Sequence, residues 1–197
     1  MNLANKLTIF RIILVPIMVI IPFLGIQGSW NYIPYEWIII DLIFIIASIT
    51  DKLDGSIARK RNEITTFGKF LDPIADKILV LAAMIMLVEA GRLPAWIPII
   101  VLFREFIVSG YRLVAVEKGG KVIAASIWGK IKTVTQMIAI ILMCIDINGY
   151  FGMLKGHLTG WDLELNIVTS VLITISVIAT IFSGWEYIKD GKELLKD

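Results

Sequence analysis

Four aspartates define the chemistry open to this chain. Between residues 51 and 77, carboxylates stand at Asp51, Asp54, Asp72 and Asp76, with Gly55, Ala58, Arg59 and Gly68 among them. Asp51 and Asp54 are three residues apart and Asp72 and Asp76 four apart, so on helices each pair shares a face. Four carboxylates crowded near lipid repel one another and are costly to bury without counter-charge. Ligation by oxygen alone, with no His or Cys among the donors, suits hard cations such as Mg²⁺ or Mn²⁺. Two pairs can hold two such ions, the arrangement that clamps attacking and leaving oxygens in phosphoryl transfer. Gly55 and Gly68 clear side chains where a ligand needs close backbone approach, and Arg59 is placed to pair a phosphate. The bland reading, juxtamembrane aspartates balancing nearby lysines and arginines, must also explain two helix-spaced pairs, two glycines and an arginine together, and is the weaker one.

The elements that must carry these residues follow from composition. Of 197 residues 57% are hydrophobic and 18% charged, and mean hydropathy is +0.81. Soluble domains carry about 25% charged residues, and a soluble chain of this size cannot hide so much apolar surface. The expected architecture is therefore all-α, a polytopic membrane protein in a single domain spanning 1–197. Six segments reach the length a bilayer requires: Leu7–Leu24, Trp37–Ile57, Phe70–Val88, Ala95–Val116, Ile131–Ile147 and Ile167–Tyr187. The first has no small-residue cleavage site after it and reads as a retained helix, not a signal peptide. With both termini in the cytoplasm, all of the 19 lysines and arginines except Arg92 and Lys155 fall on the inner side, as the positive-inside rule demands. The aspartates then sit at the inner ends of spans two and three, which places the active site on the cytoplasmic face of the cell membrane. The loops rich in glycine on the outer side read as plain connectors. A net charge of +2 argues against a nucleic-acid partner, and the single Cys144 excludes a disulfide framework or a cysteine metal site.

The pattern D-x2-D-G-x2-A-R-x8-G-x3-D-x3-D, filled here by Asp51, Asp54, Gly55, Ala58, Arg59, Gly68, Asp72 and Asp76, resembles the signature of the CDP-alcohol phosphatidyltransferases. All eight positions match, and the six-span layout resembles that family over nearly the whole chain. The resemblance implies a metal-dependent membrane enzyme, acting as a homodimer, that moves the phosphatidyl group of CDP-diacylglycerol onto an alcohol and releases CMP. It implies that Asp51, Asp54, Asp72 and Asp76 ligate two divalent cations, Mg²⁺ or Mn²⁺, and that Asp76 is also the general base. Asp51, Gly55 and Arg59 would then meet the CDP moiety, with Gly68 easing close packing. Asn5, Thr8 and Arg11, an N-x2-T-x2-R string, resemble the family's first segment, so Asn5 and Thr8 are expected either to line the nucleotide site or to serve as an N-cap and polar lead-in to span one.

The acceptor has to be read elsewhere. Arg104 and Glu105 fall near the middle of span four with Arg112 beyond them, and charges at that depth usually face a cavity or a partner. Lys130 and Lys132 stand at the mouth of span five. These four cations are the expected binding site for an anionic acceptor, against the alternative that Arg104 pairs with Glu105 or Glu117 while the lysines reach lipid headgroups. The strings from Arg104 to Arg112 and from Gly129 to Gln136 resemble segments of bacterial phosphatidylglycerophosphate synthases, which implies sn-glycerol 3-phosphate. Inositol phosphate and phosphatidylglycerol stay open as acceptors. A small transporter is the rival from another class; its best residue, Asp41, is expected near the outer interface, and no internal repeat supports it. His157 reads as a solvated loop residue and Cys144 as packing.

Overall fold

The apolar segments fold as helices. The computed structural model describes the backbone of residues 3–61, 66–117 and 126–191, and the side chains of 5–51, 71, 73–115, 117 and 126–189. Among these residues six long helices follow one another: α1 (Leu3–Ile20), α2 (Tyr35–Arg61), α3 (Thr66–Glu89), α4 (Trp96–Glu117), α5 (Ile127–Ile145) and α6 (Gly160–Gly191). Each overlaps one expected span. Because α2 runs beyond Ile57 to Arg61 and α3 begins before Phe70, all four aspartates lie on helix. Among the described residues, three helical stretches are long and apolar enough to cross a membrane: Asn5–Leu24, Ile127–Ile145 and Gly160–Lys189. The remaining helices are interrupted by charge, with Arg104, Glu105 and Arg112 inside α4 and aspartates at the adjoining ends of α2 and α3.

A short hairpin modifies the all-helical expectation. Strands β1 (Ser29–Trp30) and β2 (Ile33–Pro34) pair antiparallel, Ser29 with Pro34 and Trp30 with Ile33. Asn31 and Tyr32 both have positive φ, 49° and 68°, the left-handed pair that matches the twist of a two-residue hairpin. Gly28 leads into it at φ +103°, where a Cβ would lie 2.7 Å from the Tyr35 ring. The connector ahead of α2 is thus a built turn.

The chain forms two compact units, Met1–Arg92 with Ile140–Ile147, and Leu93–Ala139 with Asn148–Asp197. In the first unit α1 packs against both α2 and α3. Its buried stripe changes character along its length: Asn5, Thr8 and Arg11 are buried near its start, then Val15, Met18 and Ile21. These face a core that includes Trp37, Ile40, Phe44 and Ala47 of α2 and Ala75, Leu79, Ala83 and Leu87 of α3. In the second unit α4 packs on α6, whose buried face carries the small polar residues Ser176, Thr180 and Ser183 and then Tyr187. Small side chains let helix backbones approach closely where lipid supplies no hydrophobic drive for association. Ser126 caps α5, its Oγ accepting from the Gly129 N–H at 3.2 Å, which satisfies one donor the helix leaves open at its first turn.

Candidate active site

In the first unit, the chain order alone brings the ends of α2 and α3 together across a four-residue connection, 62–65. The i, i+3 spacing keeps Asp51 and Asp54 on one face of α2, and the i, i+4 spacing keeps Asp72 and Asp76 on one face of α3. Pro73, between the second pair, removes one ladder donor from α3. The side chains of Asp51 and Asp76 are both part-buried. Those of Asp54, Gly55, Arg59, Gly68 and Asp72 lie outside the described residues, and among the described residues no three carboxylate, His or Cys side chains form a metal-sized group. What the described pair offers is carboxylate oxygen alone, the donor chemistry of a hard divalent cation.

Asp51 has a partner that the motif does not contain. Arg11 Nη1 lies 2.7 Å from Asp51 Oδ1, with the Arg11 side chain fully enclosed and that of Asp51 34% exposed. Arg11 arrives from α1, on the same stripe as Asn5 and Thr8. These two are buried inside the helix, Asn5 at 6% exposure and Thr8 at 1%, so the alternative of an N-cap at Thr8 gives way: Thr8 stands well inside α1 with its side chain turned inward. Charge counting registers Arg11 only as an inner-side cation; the i, i+3, i+6 spacing with Asn5 and Thr8 was the available signal that it faces inward.

The second unit brings together most of the basic residues. Glu105 Oε1 accepts from Arg104 Nη1 at 2.7 Å and from Lys132 Nζ at 2.8 Å. Arg104 Nη2 donates to Ser183 Oγ at 2.6 Å, while its Nε is buried without a hydrogen-bond partner among the described residues. Arg112 Nη2 donates to Tyr187 Oη at 3.0 Å, and the Arg104 and Arg112 guanidinium carbons lie 5.9 and 5.7 Å from the centre of the Tyr187 ring, within cation–π range. Arg104 pairs with Glu105, as the bland alternative had it, yet Lys132 shares that carboxylate instead of reaching lipid headgroups. Lys130 does not join them: two residues before the buried Lys132, it points to the opposite side of α5 and is exposed. Ser183 and Tyr187 were not among the residues singled out from sequence, because they come from α6, more than fifty residues beyond Lys132, whereas Glu105 was named there as the alternative partner of Arg104.

Glycines make room for this arrangement. A Cβ at Gly129 would lie 3.2 Å from Arg104 Nη2 and 3.4 Å from Ser183 Oγ, and one at Gly184 would lie 3.4 Å from Arg104 Cγ. Beside them an apolar groove of about 340 Å³ runs between α4 and α6, lined by Phe103, Arg104, Ile107, Ile181, Gly184 and Trp185 among others. Asp41, the residue a transporter would need, is buried in the second turn of α2, ten residues or about 15 Å of helix from Asp51.

A family model described as CDP-alcohol phosphatidyltransferase matches residues 1–182, through both units. The CDP-diacylglycerol–glycerol-3-phosphate 3-phosphatidyltransferase of Bacillus subtilis is 42% identical to this chain, covering 99% of it and 97% of its own length. The protein of the same name from Haemophilus influenzae is 40% identical, covering 100% of this chain and 96% of its own length. That from Rickettsia typhi is 35% identical, with 97% of both chains covered.

Proposed function

The chain belongs to the CDP-alcohol phosphatidyltransferase family, and from that premise we propose that it transfers the phosphatidyl group of CDP-diacylglycerol to sn-glycerol 3-phosphate, giving phosphatidylglycerophosphate and CMP. The relatives that share its full length carry the name of this activity. The observation that carries the choice of acceptor is the group around Glu105. Arg104 and Arg112 of α4 and Lys132 of α5 gather beside Tyr187 and Ser183 of α6, three cations around the carboxylate of Glu105, which pairs with Arg104 and Lys132. A phosphate monoester, at about −1.5 to −2 near neutral pH, matches the remainder. An acceptor without a phosphate would bring no negative charge to this cluster.

The reaction is a displacement at phosphorus. The 1-hydroxyl oxygen of glycerol 3-phosphate attacks the phosphatidyl phosphorus, the bond from that phosphorus to the CMP oxygen breaks, and CMP leaves with the electron pair. Asp76 takes the hydroxyl proton. Arg104, Lys132 and Arg112 bind the acceptor phosphate and set the orientation of its hydroxyl, whereas Lys130, on the opposite side of α5, is not one of them. Asn5, Thr8, Gly55, Arg59 and Gly68 face the nucleotide. Divalent cations, Mg²⁺ or Mn²⁺, held by Asp51, Asp54, Asp72 and Asp76 would offset the negative charge of the diphosphate as it develops on the leaving group. The chain spans the cell membrane six times with both termini and the aspartates on the cytoplasmic side, and works as a homodimer among membrane lipids; six helices and the lopsided distribution of lysine and arginine support the topology.

Purified protein, CDP-diacylglycerol and Mg²⁺, with one acceptor at a time, test this reading through CMP release. Glycerol 3-phosphate is expected to give strong turnover, and inositol phosphate, free inositol, serine and phosphatidylglycerol little. Preference for phosphatidylglycerol or inositol phosphate would keep the transfer chemistry and overturn the acceptor. No CMP from any acceptor, in folded protein, would overturn the enzyme reading.

A further inference from the structure

We infer that Arg11 is a positioning residue for the metal-binding carboxylates: from inside α1 it holds Asp51 by one oxygen and so fixes the direction in which Asp51 presents the other. The inference rests on the metal reading of the aspartates proposed above. It starts from an asymmetry in the ion pair. Arg11 is enclosed on every side, whereas Asp51 is one-third open, so the pair has a closed back and an accessible front. Asp51 Oδ1 is engaged from the back at 2.7 Å. A ligand can reach this carboxylate only from the side that Arg11 does not occupy.

The cost of that placement argues for a role. A buried guanidinium is expensive to desolvate, and an apolar pair of the same volume commonly serves stability as well or better. Val15 and Met18, on the same buried stripe of α1, show that this helix packs with apolar side chains where nothing else is required. At Asn5, Thr8 and Arg11 it instead turns three polar side chains inward, next to the helix ends that carry the aspartates. Carboxylates that ligate a metal are typically oriented by an outer partner, here the Arg11 cation paired with Asp51 at 2.7 Å, and losing such a partner costs about 10- to 100-fold in metal affinity.

Electrostatics alone predicts the opposite sign. If Arg11 were only a cation competing with the metal for Asp51, removing its charge would tighten metal binding. Orientation and charge therefore make opposite predictions for one measurement, and that separates them.

The test is Mn²⁺ titration of the full-length protein in detergent, read from the electron paramagnetic resonance signal of free Mn²⁺, for wild type, Arg11→Gln and Arg11→Lys, each checked for folding by circular dichroism. Mn²⁺ affinity is expected to fall about 10- to 100-fold in Arg11→Gln, with a smaller fall in Arg11→Lys, which keeps the charge but loses the planar fork. Unchanged or tighter Mn²⁺ binding in folded Arg11→Gln would overturn the inference and leave a structural ion pair between α1 and α2. If Arg11→Gln does not fold, Arg11→Lys decides by the same measure: weaker binding supports the role, wild-type binding overturns it. Wild-type protein that binds no Mn²⁺ would overturn the metal reading itself, and this inference with it.

Discussion

Arg104 can reach Ser183 because Gly129 has no side chain. Its guanidinium passes where a Cβ at residue 129 would stand, 3.2 Å from Nη2, a contact that requires a shift of a few tenths of an ångström. Two effects oppose each other in Gly129→Ala. Alanine favours the helix by about 1 kcal/mol, so α5 should form at least as well. The new methyl pushes on the Arg104–Ser183 hydrogen bond, and a bond of this kind is worth about 0.5–1.5 kcal/mol. The expected outcome is an unchanged or slightly raised melting temperature together with a rise in the glycerol 3-phosphate KM of about two- to tenfold. The KM for CDP-diacylglycerol should not move. Steady-state kinetics with each substrate varied in turn checks this, and equal effects on both KM values would show that Gly129 does not act through Arg104. At this scale the sequence was informative where residues are close along the chain. The spacing of the aspartates and the pair Arg104–Glu105 could be read directly. Ser183 and Tyr187 could not, because their hydrogen bonds to Arg104 and Arg112 span 79 and 75 residues, and no local pattern encodes such a contact.

The helices were legible for a different reason: long apolar runs leave few alternatives in chain direction or length. Their ends were less so, and the connectors least of all. Arg92, which charge counting treats as one of two cations outside the membrane, is buried in the turn between α3 and α4. Its Nη1 donates to the Met143 carbonyl at 3.2 Å and the Cys144 carbonyl at 2.7 Å, two of the groups a helix leaves open at its C-terminus. Its guanidinium lies 4.2 Å from the centre of the Trp37 ring. Burial draws the Arg92 pKa below the usual arginine range, with Cys144, Asp146 and Glu36 acting in the opposite sense. One side chain thereby joins the α3–α4 turn to the end of α5 and the start of α2. Asn166 does similar work in the second unit, accepting from the Met153 N–H at 2.9 Å and donating to the Gly149 carbonyl at 2.6 Å, while Ser170 accepts from the Phe151 N–H at 2.9 Å. The connectors expected on the outer side are therefore fastened to their helices by polar side chains and are not plain links. Arg92→Met keeps the apolar stem and removes the donors, leaving two carbonyls without them. It is expected to lower stability by about 2–3 kcal/mol, visible as a lower midpoint in thermal unfolding in detergent. Initial rates at low temperature should stay near wild type, since among the described residues Arg92 contacts the Met143 and Cys144 carbonyls and the Trp37 ring and neither Asp51 nor Asp76. A wild-type midpoint would show that water replaces the guanidinium at little cost.

The whole molecule poses a question of parity. If the chain crosses the membrane an even number of times, its two ends lie on the same side, and if an odd number, on opposite sides. Three helical stretches satisfy length and apolarity unaided, an odd number that would separate the ends. The other helices, each more than 20 residues long, qualify only if their charged residues face inward, as Arg104 and Glu105 of α4 do when they pair. The six-span reading therefore makes the location of the termini a test of what the charges in α4 are doing. The chain is suited to the measurement, because its one cysteine, Cys144, is buried and should contribute little background. Single cysteines at the exposed positions Lys6, Glu117, Lys155 and Lys189 sample the two ends and both kinds of connector. In intact cells a membrane-impermeant maleimide is expected to label Lys155→Cys alone, and after permeabilisation Lys6→Cys, Glu117→Cys and Lys189→Cys as well. Labelling of Lys189→Cys, but not Lys6→Cys, from outside would establish an odd number of crossings. The charged part of α4 would then lie in the interface instead of the bilayer, and the residues around Glu105 would have no need to be paired for the helix to cross.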